Sequence, residues 1–240
     1  MAFPMLSMNS TYRLGTFSKI GIFVHWTTWV MFFGLFLYYL WLGASISGAL
    51  AGISLIAVVF GCVILHELGH ALAARRFGIP TLDITMYPIG GVARLERMPR
   101  EPSQEFWIAI AGPAVNLTIA ALLFALNIST GRSLSIETLT PPDTSIFGML
   151  MWVNLILAGF NMLPAFPMDG GRVFRAWLAS RMTYQRATRI AAWVGQGMAI
   201  IFGFMGLTGF SPVLVFVALF VFFGARQEAQ MVANKEPSPA

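Results

Sequence analysis

The sequence predicts an all-α polytopic membrane protein, with about six transmembrane helices and a small membrane-associated β-hairpin or sheet around residues 80–100. Three observations carry that prediction. Hydrophobic residues make up 57% of the 240 positions and charged residues only 10%, where soluble domains average about 25% charged. Between Lys19 and Arg75 the only Asp, Glu, Lys or Arg is Glu67. From Ile190 to Gly224 there is no charge at all.

The elements follow in order. Residues 1–19 read as a short polar and basic N-terminus on the cytoplasmic side. Residues 20–42 are apolar and aromatic and form span 1, too long for a signal-peptide core of about 7–15 residues; no cleavage is expected. Residues 49–74 form span 2. In residues 80–100, Leu82, Ile84 and Met86 alternate with Asp83 and Thr85, and Pro88 and Gly90-Gly91 precede Val92-Ala93-Arg94-Leu95. That alternation and turn chemistry predict strands. Residues 105–128 form span 3, 129–143 a polar loop, and 145–163 span 4. Phe174, Trp177 and Leu178 lie at helical spacing in the basic stretch Arg172–Arg189, which predicts an amphipathic interfacial helix. The uncharged run from Ile190 exceeds one span of about 20 residues, so it divides at Gly209-Phe210-Ser211-Pro212 into two short spans, 5 and 6. Residues 225–240 form a polar, frayed cytoplasmic tail. The membrane domain is thus residues 20–224.

A net charge of +5 would suggest nucleic acid in a soluble protein. Here Lys and Arg are topogenic, and no nucleic-acid partner is expected. With a cytoplasmic N-terminus and six spans, every basic residue except Arg132 falls on the cytoplasmic side. Span 2 and span 4 then both run inward, and each ends near the cytoplasmic face.

Span 2 carries His66-Glu67-Leu68-Gly69-His70 in its last third. On a helix this spacing puts two imidazoles one turn apart on one face, which suits two ligands of a zinc ion. Ionisable groups are expensive in hydrocarbon and point to function by default. A hydrolytic zinc site has three protein ligands and one open position. Cys62 is the only cysteine, and the third histidine, His25, sits at the start of span 1. Asp169 is the better third ligand. It follows Pro164 and Pro167, which break the helix, precedes Gly170-Gly171, which loosen the chain, and reaches the same depth as the histidines. One zinc per chain, bound by His66, His70 and Asp169, would lower the pKa of its water towards about 7. Glu67 would take that proton and pass it to the leaving amine. Asn161 or Asn116 would stabilise the oxyanion.

Together with Ala111-Gly112-Pro113 before Asn116, the run from Asn161 to Gly170, Gly90-Gly91-Val92-Ala93-Arg94 and His25-Trp26-Thr27, the motif resembles the site-2 protease family of intramembrane zinc metalloproteases. The likeness is to its bacterial and archaeal branch without a CBS or PDZ domain, and it covers roughly residues 15–225. The resemblance implies cleavage of a transmembrane segment of a membrane-protein substrate, often after a first cut by another protease, in a prokaryotic cytoplasmic membrane. It also implies that the 80–100 region, at Gly90 and Gly91, pairs with an unwound substrate as an added strand. Two other functions are weighed. A zinc transporter or channel needs a continuous polar path, and spans 1, 5 and 6 offer few polar residues. A non-catalytic binder of membrane segments has no use for Glu67. His25 and Cys62 read as packing residues.

Overall fold

The computed structural model describes residues 10–99, 101–130 and 146–235. The chain forms two compact units, Met1–Met98 with Ala114–Leu155 and Pro99–Pro113 with Ile156–Ala240.

The first unit begins with a β-hairpin. β1 (Thr11–Phe17) and β2 (Ile20–His25) pair antiparallel, Phe17 opposite Ile20 and Thr11 opposite His25. Ser18 and Lys19 between them have φ of 50° and 69°, the left-handed pair whose twist suits a two-residue hairpin loop. The helices α1 (Trp26–Trp41) and α2 (Ile46–Arg76) then form a crossover, which a parallel strand pair requires. β3 (Thr81–Tyr87) lies parallel to β2, and β4 (Gly90–Leu95) returns antiparallel to β3. The sheet order is β1-β2-β3-β4, so β4 is an edge. Ile20, Val24, Ile84 and Met86 of the sheet bury themselves against Leu68 and Ala71 of α2.

The hairpin expected at residues 80–100 is present, as half of a four-stranded sheet. Two expectations change with it. The supposed polar N-terminus supplies β1 from Thr11, residues 1–9 lying outside those described, and span 1 loses residues 20–25 to β2. A short apolar run such as Ile20-Gly21-Ile22-Phe23-Val24 suits a helix or a buried strand equally in its pattern. Strand partners on both sides decide for the strand.

The helices α3 (Pro102–Ser129) and α4 (Ile146–Asn161) contribute to both units. The second unit adds α5 (Asp169–Ala179), α6 (Tyr184–Thr208) and α7 (Pro212–Lys235). The break expected at Gly209–Pro212 separates α6 from α7, and Pro212 opens α7 where its missing N–H leaves nothing unpaired. Small residues let α6 and α7 approach: a Cβ on Gly206 would sit 2.8 Å from Val215 Cγ2. The basic stretch Arg172–Arg189 is not one helix. The chain turns after Ala179, so Arg186 and Arg189 enter α6. Residues 225–235 are helical rather than frayed, and 236–240 lie outside the described residues, as do Arg100, Arg132 and most of the 129–143 loop. Spans 5 and 6 are therefore not short, at 25 and 24 residues; their basic ends extend the helices, since Lys and Arg stems lie along apolar surface with the charge in water.

Among the described residues, four helices, α2, α3, α6 and most of α7, are long and apolar enough to cross a membrane. α6 presents an outward apolar stripe of Trp193, Ile200, Ile201, Phe204 and Leu207, which hydrocarbon accommodates and water does not. The chain is a membrane protein. α1 and α4 have 16 residues each, a length of about 24 Å against a hydrocarbon core of about 30 Å.

One buried ion network joins three helices of the second unit. The Arg175 guanidinium, fully buried, donates to Glu105 in the first turn of α3 and, at 2.6 Å, to Glu228 of α7. It also lies over the rings of Phe166 and Tyr184, 4.9 and 4.8 Å from their centroids. Burial would push its pKa down, but the carboxylates, Glu105 above all, outweigh burial and raise it. Arg175→Met leaves two carboxylates without their cation and is expected to destabilise the protein by about 3–5 kcal/mol. Thermal unfolding in detergent reads this directly, and a wild-type midpoint would mean the network contributes nothing.

Candidate metal centre

α2 positions the histidines. Its apolar sequence and its Ser45 cap, which accepts from the Gly48 N–H at 3.1 Å, set up a continuous helix through the motif. His66 and His70, four residues apart, then project from one face, as their spacing predicts. Both are buried, each 5% exposed. Their rings stand nearly perpendicular at 84°, and their Nε2 atoms lie 3.1 Å apart. Two nitrogens on a tetrahedral metal at 2.0–2.1 Å would be separated by about 3.3 Å. The pair therefore has the shape of one edge of a metal tetrahedron, and the donor set fits zinc.

His66 is oriented from outside the helix. Its Nδ1 lies 2.5 Å from Asn116 Oδ1 on α3, which leaves Nε2 for a metal. Asn116 Nδ2 in turn donates to Asn154 Oδ1 on α4 at 2.8 Å. Both asparagines are fully buried. Asn116, expected as one of two oxyanion candidates, thus has both ends of its amide engaged within the protein. Asn154 was not singled out from the sequence. The available signal was a lone amide in the apolar run Ile146–Leu157, where an unpaired polar group is costly.

Glu67 projects from the adjoining face of α2. One residue on a helix turns about 100°, so Glu67 lies between the histidine face and the Leu68–Ala71 face that covers the sheet. There its stem rests on β4. A Cβ on Gly91 would come within 2.7 Å of Glu67 Cγ. Gly91 thus makes room for the carboxylate side chain, a role distinct from strand pairing. Gly90 has φ of +137°, which favours glycine at the turn.

Asp169 and Asn161 belong to the second unit. Asp169 is 7% exposed and opens α5, where the helix dipole favours a carboxylate. Gly170-Gly171 do not loosen the chain. They allow it to fold tightly back: a Cβ on Gly170 would lie 2.3 Å from the Leu163 and Met162 carbonyl oxygens, and one on Gly171 2.6 Å from the Ala165 carbonyl carbon. Asn161 ends α4 and donates Nδ2 to the Leu157 carbonyl at 3.0 Å. His25 packs against Tyr87 and caps α1, its Nδ1 2.7 Å from Thr27 Oγ1. Cys62 is buried one turn before His66, 3.5 Å from Asn154 Nδ2.

Comparison with known proteins places this geometry. Residues 54–138 and 143–202 match Peptidase family M50. The chain belongs to peptidase family M50, the site-2 protease family. A solved site-2 protease from Methanocaldococcus jannaschii is 36% identical, with a TM-score of 0.66 over 96% of this chain and 99% of that one. A zinc metalloprotease of the same organism is 38% identical over 226 residues, 94% of this chain and 62% of the relative. A Synechocystis protein with a provisional zinc metalloprotease name is 33% identical over 249 residues, 97% of this chain and 63% of its own. The chain thus spans about three fifths of the length of these curated relatives. The M50 match takes in His66, Glu67, His70, Asn116, Asn154, Asn161 and Asp169, and leaves out His25.

The His66–Asn116 contact predicts a measurable effect. Asn116→Leu should weaken zinc binding about 10–100-fold, read by competition with a chelator on the purified chain. Unchanged affinity would mean that Asn116 does not orient the ligand.

Proposed function

We propose that the chain is an intramembrane zinc metalloendopeptidase that cleaves a transmembrane segment of a membrane-protein substrate. The observation that carries this reading is the paired Nε2 atoms of His66 and His70, 3.1 Å apart, with Glu67 next to His66 in sequence on the adjoining face of the same apolar helix. The names of the M50 relatives as zinc metalloproteases support it.

His66 and His70 hold the zinc, and Asp169 is the third ligand. The support for Asp169 is its burial and its place at the tight turn before α5. When bound, zinc acts as a Lewis acid on the peptide carbonyl and makes a water acidic near neutral pH. Glu67 accepts the proton from the attacking water and delivers it to the leaving amine. Asn161 stabilises the oxyanion with the amide hydrogen that its bond to the Leu157 carbonyl leaves over, because both ends of the Asn116 amide are committed to His66 and Asn154. A substrate strand adds to β4, the sheet edge, along Gly90 and Gly91. The strand's hydrogen bonds offset the loss of helical ones when the substrate unwinds beside the base.

The topology proposal keeps six spans, with α1 and α4 completing the four longer helices. Both termini and the site then face the cytoplasm, which the distribution of Lys and Arg supports. Residues 20–224 make up the membrane protease domain. The substrate is one already shortened by another protease, since a bulky outer domain hinders entry to a site within the bilayer.

Glu67→Gln should lower the cleavage rate of a membrane substrate by about 10²–10⁴-fold and keep bound zinc. Cleavage at the wild-type rate would sink the mechanism. Asp169→Ala should remain inserted and folded but lose stoichiometric zinc by metal analysis. Full zinc content in that variant would remove Asp169 from the ligand set.

A further inference from the structure

We propose that Asn154 is a positioning residue that sets the tautomer of His66 through Asn116. This rests on the reading of His66 as a metal ligand through Nε2. A backbone carbonyl sets the hydrogen-bond polarity of the whole relay. Asn154 lies 2.8 Å from the Leu150 carbonyl oxygen one turn earlier on α4. A carbonyl only accepts, so the Asn154 atom facing it must be Nδ2. The same nitrogen faces Cys62 Sγ at 3.5 Å, a weak acceptor. Asn154 therefore presents Oδ1, and only Oδ1, to Asn116, 2.8 Å away. Asn116 must answer with Nδ2. Its own Oδ1 then faces His66 Nδ1 at 2.5 Å. An amide oxygen needs a donor there, so Nδ1 carries the proton, and in the neutral ring Nε2 carries the lone pair.

Each step has one polarity because both amides are fully buried. Water does not offer either of them an alternative partner. Flipping Asn116 alone would set oxygen against oxygen at Asn154, whatever tautomer His66 then took, so the Asn116–Asn154 bond opposes the flip. Flipping both amides would set the Asn154 oxygen against the Leu150 carbonyl. The Leu150 carbonyl, fixed by the helix, thus fixes the protonation site of an imidazole two side chains away.

Asn154 touches neither metal nor substrate, so its test must separate positioning from packing. Asn154→Ala frees Asn116 to present either end to His66. It is expected to weaken zinc binding about tenfold while the chain stays inserted. A carboxylate at position 116 has no donor end and cannot be the wrong way round. In the Asn154→Ala background, Asn116→Asp should therefore restore zinc affinity towards wild type. A packing role for Asn154 predicts no such rescue. Wild-type affinity in Asn154→Ala, or failure of Asn116→Asp to restore it, overturns the proposal.

A second measurement needs no variant to fold for its main result. The chain has three histidines, so nitrogen-15-labelled imidazoles can be assigned in the metal-free protein in detergent micelles. His66 should appear as the Nδ1–H tautomer. An Nε2–H tautomer overturns the proposal. Loss of the ligand reading itself looks different: His66→Ala would then retain zinc while the wild-type tautomer still came out as Nδ1–H.

Discussion

Holding two imidazole Nε2 atoms 3.1 Å apart within an apolar helix is the constraint that the rest of the first unit answers to. A hydrogen bond could satisfy such a pair only if one ring gave up its metal-binding tautomer. Helical spacing brings the rings together but does not orient them. Orientation comes from Asn116 on α3, an element some fifty residues away. The face of α2 that bears the histidines must therefore meet polar neighbours, while Leu68 and Ala71 meet the sheet. One helix has three different environments around it, and the hydrophobic pattern of α2 is correspondingly weak in direction.

The parts that were legible in the sequence share a physical cause. His66, Glu67 and His70 stood out because ionisable groups are rare in an apolar run, and the i, i+4 spacing needs only helix geometry to become a site. The α6–α7 break was legible because Pro212 cannot continue a helix. The strand β2 was not. Its residues are apolar in both readings, and only β1 and β3 decide its conformation. Nor was Asn154, whose importance lies in a contact with Asn116, and pairing partners across helices leave no mark on local pattern. The Arg175 network was hidden for the opposite reason. A basic stretch beside a membrane reads as topogenic, and a single arginine in it gives no sign that it is buried.

Glycine carries different loads at different positions. At Gly206 it lets two long helices touch. At Gly170 and Gly171 it lets the chain fold back on the first turn of α5, so that Asp169 sits at the start of a helix that Arg175 then anchors to α3 and α7. The sequence alone suggested flexibility there. Close approach of backbone to backbone gives a tight turn instead, which would suit the ligand role proposed for Asp169, because less freedom is lost when a metal binds.

Under the proposed mechanism, the Glu67–Gly91 contact would give the sheet a part in the chemistry. Were β4 only a surface for pairing, any residue with a modest side chain would serve at position 91. A side chain there would collide with Glu67 Cγ at 2.7 Å. The edge of the sheet thus packs closely on the stem of Glu67, the proposed general base. A peptide that adds to β4 would run beside the carboxylate, with its backbone extended and its amides exposed for attack. A helical substrate segment has its amides paired internally and would not meet the base in that way. In the proposed mechanism, strand addition and proton transfer would then be parts of one geometry, in which the strand that holds the unwound substrate also places it.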